Sequence, residues 1–137
     1  MAEQVAFEVT LALPYEQAIE KLSAALKAEG FGILTRIDVK QTLKEKLNAD
    51  FRPYSILGAC NPALAHRALS HDAHVGLVLP CNVTVEAQDA GTSVVRIGDP
   101  DAFLQIGDFA RDPVLQGVAR EAREKLKRAA DALRQAK

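Results

Sequence analysis

The chain holds two cysteines, Cys60 in GACNPALAHRAL (residues 58–69) and Cys81 in VLPCN (78–82). Thiols have the most chemistry to offer here, as nucleophile, redox pair or soft metal ligand once deprotonated. Cys60 directly precedes Asn61 and Pro62, a strong helix start in which the asparagine side chain accepts from an orphan N–H and proline fills the first turn. A thiol placed there feels the positive end of the helix dipole, which favours the thiolate. His66 follows in the same helix, so Cys60, His66 and Cys81 make a candidate soft set for zinc or copper(I). Against this stands a packing role. Free cysteine is among the most often buried residue types, and Cys60 ends the apolar stretch Leu57, Gly58, Ala59. Composition favours packing, because two cysteines so far apart fall well short of a paired CxxC signature.

The remaining site candidates are polar. Arg52 and Arg96 are placed to meet an anion drawn to the Asn61 helix start, and Asn82 can turn its amide to the same edge. The ligand-binding set read from the chain is therefore Cys60, Asn61, Cys81, Asn82, Arg52 and Arg96. Surface charge is the simpler account of the arginines, and a turn beside Pro80 the simpler account of Asn82. His71 and His74, in SHDAH, read as a solvated helix-to-strand loop and stay outside the site. No phosphate-cradling glycine loop, HExxH or GxSxG is present, so no residue is assigned a catalytic role.

Periodicity says which elements must position these residues. Val5, Phe7, Val9 and Leu11 alternate as a strand with one buried face, and Pro14 then opens a helix with Ala18, Ile19, Leu22 and Leu26 on one stripe. Phe31, Ile33, Thr35, Ile37 and Val39 alternate again, and KQTLKEKLNAD (40–50) predicts a short solvated helix stopped near Asn48. FRPYSILGA (51–59) is a third strand and residues 62–70 a helix. VGLVL (75–79) reads as a fully buried strand, followed by an antiparallel hairpin over 83–87 and 93–97 with its turn at 89–91. DAFLQIGDFARD (101–112) suggests a turn at Gly107 and one helical fragment. From Asp112 and Pro113 a long amphipathic helix runs on through Leu115, Val118, Ala122, Leu126, Ala129 and Leu133. A right-handed crossover through the 62–70 helix would make strands 54–59 and 75–79 parallel, with both cysteines at their carboxyl ends.

Composition limits the partners. The 137 residues suit one domain, 1–137, with 48 % hydrophobic and 26 % charged residues. Seventeen basic residues against 18 acidic, with no tryptophan, provide no field or stacking platform for nucleic acid or an anionic membrane. MAEQVAFEVT has no long apolar region, so neither a signal peptide nor an anchor is expected. A cytoplasmic protein with free thiols is the expectation.

ACNPALAHRAL, GLVLPCNVTV and DPDAFLQ, with FGILTRIDVKQTLKEKL before them, resemble the bacterial and archaeal domain of unknown function numbered 302, over almost the whole chain. The resemblance implies a single α+β domain, a curved, mainly antiparallel sheet with helices packed on it, often as a homodimer; with the long carboxyl-terminal helix read from spacing, the expected fold is a two-layer α+β domain. It implies no established activity. The characteristic residues carry over to Cys60, Asn61, Pro62, Leu64, Ala65, Pro80 and Cys81. Three functions follow in order: a small-ligand-binding module at the Cys60/Cys81 edge, a thiol-based metal-binding or redox protein, and a structural protein acting through its dimer surface.

Overall fold

The computed structural model describes residues 5–135. Residues 1–4, on which the expectation of no targeting segment partly rests, lie outside them, as do 136–137. Five strands form one antiparallel sheet: β1 (Ala6–Leu11), β2 (Gly32–Asp38), β3 (Tyr54–Cys60), β4 (Cys81–Asp89) and β5 (Thr92–Gly98), in the spatial order β1-β5-β4-β3-β2. The sheet stays open, with β1 and β2 as its edges. Helices α1 (Tyr15–Ala28), α3 (Pro62–His71) and α5 (Pro113–Gln135) pack on it, giving an α+β fold with a long carboxyl-terminal helix.

The core follows from the two periods. Val9 and Leu11 of β1, Leu57 and Ala59 of β3, Val83 and Val85 of β4, and Val95 and Ile97 of β5 point to the helices, each two residues from the next. They meet Leu22 and Leu26 of α1, Leu64 and Ala68 of α3, and Leu115, Leu126 and Leu133 of α5, all buried. Each large aliphatic side chain so buried contributes about 1.5–3 kcal/mol. The buried stripe of α5 includes Ala119, Ala122 and Ala130, small side chains that let its backbone approach its neighbours closely.

Several predicted elements change. The run 75–79 is no strand: residues Ala73–Val78 form a 3₁₀ helix, capped by Asp72, whose carboxylate accepts from the His74 N–H at 2.9 Å. A five-residue apolar run fits a strand or a buried helical turn equally, and only Val75 in it is fully buried. The parallel pair therefore does not exist; β3 pairs with β4, antiparallel. In β2 the register shifts between Ile33 and Thr35, so the alternation of 31–39 does not hold. Beyond the shift Arg36 sits opposite Leu57, and Ile37 lies half exposed. The 101–112 segment holds two short helical pieces, α4 (Pro100–Phe103) and a 3₁₀ helix Gly107–Arg111, in place of one. The short helix α2 (Val39–Leu47) is solvated as expected: none of its residues is buried, and Asn48 ends it in the left-handed conformation at φ 51°.

Candidate functional site

An antiparallel neighbour pair is usually closed by a tight turn. Here β3 ends at Cys60, β4 begins at Cys81, and residues 61–80 make an excursion between them that includes α3 and the 3₁₀ helix. Ala59 pairs directly with Cys81 and Gly58 with Asn82, so the excursion leaves and returns at the same end of the sheet. The two cysteines become neighbours by this route, not through parallel strand ends.

Beneath the excursion lies a cavity of about 270 Å³, walled by α3, the 3₁₀ helix, α4 and the first turns of α5. Cys60, Asn61, Cys81 and Asn82 are its polar lining, set against a floor that includes Ala59, Leu64, Ala68, Val118, Ala119 and Ala122. These four residues predicted from the sequence are brought together. Asn61 caps α3, accepting from the Leu64 N–H at 3.2 Å. Both cysteines are free thiols and partly buried. Burial, and behind it the neighbouring Cys60, push the Cys81 thiol up to about 11. Cys81 is therefore protonated at neutral pH, the reverse of a thiolate activated by a helix end.

The other candidates lie elsewhere. His66 is exposed on α3 and does not line the cavity. Among the described residues no group of three or more His, Cys, Asp or Glu side chains is placed to hold a metal ion, so the three-residue set Cys60, His66, Cys81 is not assembled. Alternation on α3 accounts for this: Leu64 and Ala68 face the core, which turns His66 to solvent. His71 bonds Asp112 at 2.7 Å and His74 bonds Asp72 at 2.7 Å, both at the surface.

Arg52 and Arg96 serve a different group. Glu86 of β4 is buried and paired opposite Tyr54, at the far end of β3 from Cys60, about 20 Å along the strand. Arg52 Nε donates to Glu86 at 2.5 Å, Arg96 Nη1 donates to its other oxygen, and Arg96 Nε donates to Glu8 at 2.7 Å. Arg52 also stacks over Phe51 at 4.5 Å. No sequence signal connects Glu86 to these arginines, because the link is cross-strand register. Burial opposes ionisation of Glu86, but the two guanidinium hydrogen bonds outweigh it and hold the carboxyl below its ordinary range. A depressed carboxyl stabilises the fold above the unfolded-state value near 4.5 and loses that contribution as pH falls through the folded one. Glu86→Gln is expected to cost about 1–3 kcal/mol at pH 7 and to flatten the acid side of the stability profile, read by urea unfolding between pH 3 and 7. An unchanged acid profile would remove Glu86 as its source.

The structure thus defines a class: a two-layer α+β protein with an open antiparallel sheet and a small apolar cavity at one sheet end. Its closer identity comes from comparison. The sequence model of the family described as Domain of unknown function DUF302 matches residues 7–133, and the chain belongs to that family. The chain is similar to the "Crystal structure of uncharacterized conserved protein DUF302 from Bacillus stearothermophilus", at 32 % identity and a TM-score of 0.83, over 96 % of this chain and 100 % of that one. No curated protein matches it. Among the described residues no helix is long and apolar enough to cross a membrane.

Proposed function

We propose that the protein is a small-ligand-binding module whose site is the cavity at the β3/β4 end, working in the cytoplasm as a homodimer. The observation that carries this reading is the cavity itself: an apolar floor with Cys60, Asn61, Cys81 and Asn82 in its lining. Ala119 lies at its base, wholly buried on α5. The neutral two-ring fluorophore 6-propionyl-2-(dimethylamino)naphthalene is expected to brighten on titration into the native protein. Ala119→Phe, which fills the base, is expected to weaken that binding at least tenfold and to change stability by no more than about 1–2 kcal/mol. Binding unaltered in the variant would place the fluorophore elsewhere and sink the reading.

For the dimer, the support is the β2 edge. Leu34 and Ile37 on β2 and Leu47 on α2 are exposed, and β2 has a strand neighbour on one side only. A twofold axis beside such a strand brings a second copy antiparallel to it, giving each edge group a partner. Sedimentation of the native chain against Ile37→Asp checks this: a dimer split by the substitution supports the edge, and a monomer in both discards it. Metal binding through Cys60 and Cys81 alone lacks a third ligand among the described side chains.

A further inference from the structure

Building on the cavity as a ligand site, we infer that it accepts an uncharged, largely apolar molecule of about one or two rings, and rejects the carboxylate of the same shape. Among the described residues no Asp, Glu, Lys, Arg or His lines the cavity. An ionised group entering it would shed water and meet no counter-charge.

The feature that ordinarily draws an anion, the amino end of α3, is closed. Pro62 has no N–H, the Leu64 N–H is taken by Asn61 Oδ1, and the Ala65 N–H bonds the Asn61 carbonyl at 2.9 Å. Of the first four residues only Ala63 keeps an N–H outside these bonds, and Ala63 is exposed and does not line the cavity. Two ion pairs beside the lining are formed between protein groups. Asp99, between Gly98 and Pro100 of the lining, accepts from Arg123 at 3.1 Å, and Arg67 donates to Glu121 at 3.0 Å.

The mouth is apolar as well. Leu77 and Phe103 both line the cavity and meet solvent, Leu77 at 85 % exposure and Phe103 at 40 %. Phe103 rests on Gly98, where a Cβ would stand 3.0 Å from its ring, so the bare glycine is what seats the ring at the opening. A ligand passing these side chains is desolvated before it reaches the inner lining. Volume sets the size: apolar cavities of roughly 150 Å³ take benzene, and about 270 Å³ here leaves room for a second ring.

The test is an amide-resolved NMR titration of the whole chain at pH 7.5 with a matched pair, 2-naphthalenemethanol and 2-naphthoate. The alcohol is expected to shift the amides of Cys81, Phe103 and Ala119 and to bind at least about tenfold more tightly than the carboxylate. Equal or tighter binding of 2-naphthoate at those amides overturns the charge preference while leaving the ligand site standing. Silence of those amides with both compounds overturns the preference and the site together.

Discussion

Cys81 in the native protein will be alkylated by iodoacetamide at pH 7.5 about 100-fold more slowly than in the unfolded chain. The attacking species is the thiolate, and raising the thiol from its ordinary 9.0 to about 11 reduces that species about 100-fold at any pH well below both values. Partial burial slows the reagent further. The sign of the pH dependence follows: the native rate should climb about tenfold per unit from pH 7 to 10 and not level near 9. The raised thiol also ties stability to alkaline pH. The protonated form is favoured in the fold, so this contribution is full below 9.0 and is lost as pH rises towards 11. Peptide mass spectrometry of the unaltered chain separates the Cys81 rate from that of Cys60, because Arg67 lies between them as a cleavage point. A native rate within tenfold of the unfolded one would mean that water reaches the sulfur freely, and the apolar cavity description would fail with it.

The result also ranks the functional readings. A redox pair needs thiolate at working pH, and a thiol pushed up to about 11 supplies little of it at Cys81. A ligand site has no such need. A neutral S–H at the end of an apolar cavity is a weak donor that leaves the floor uncharged.

Gly58→Ala is the second large effect, an expected loss of about 2–3 kcal/mol from a substitution that ordinarily helps a strand. A Cβ at Gly58 would come to 2.3 Å from Thr35 Oγ1 and 2.7 Å from Pro80 Cγ. The threonine hydroxyl can rotate away. The proline ring cannot, and its chain leads straight into Cys81, so the strain passes to the start of β4 and the cavity wall. Gly32→Ala serves as control. Gly32 sits on the neighbouring strand opposite Cys60, and a Cβ there meets nothing within 4 Å, so it should be neutral or mildly stabilising. Thermal or urea unfolding of the two variants decides it. Equal stability would show that Pro80 moves without cost, and the close approach of Pro80 to β3 would then not be what shapes the site.

Much of this protein is determined locally, and that part is legible in the chain. The alternation in 6–11 and in the 83–97 hairpin, the stripes of α1 and α5, the Asn61-Pro62 start and the Asn48 stop all appear where the residues put them, whereas Val5, read as part of the buried face, lies outside β1 and is exposed. Each rests on backbone sterics, capping or the two side-chain periods, which act within a few residues. That Cys60, Asn61, Cys81 and Asn82 lie together at one sheet end was also legible, although they meet through an antiparallel pair and its excursion and not through parallel strand ends. Only the tertiary structure decided that 75–79 coils as a 3₁₀ wall, that β2 changes face beyond Ile33, and that Arg52 and Arg96 go to Glu86 at the far end of the sheet. Periodicity reports which face of a segment is apolar, but not which segment lies beside it or in what register. Those choices are made when the whole core closes, and the cavity between α3, α4 and α5 exists only as the space that closure leaves.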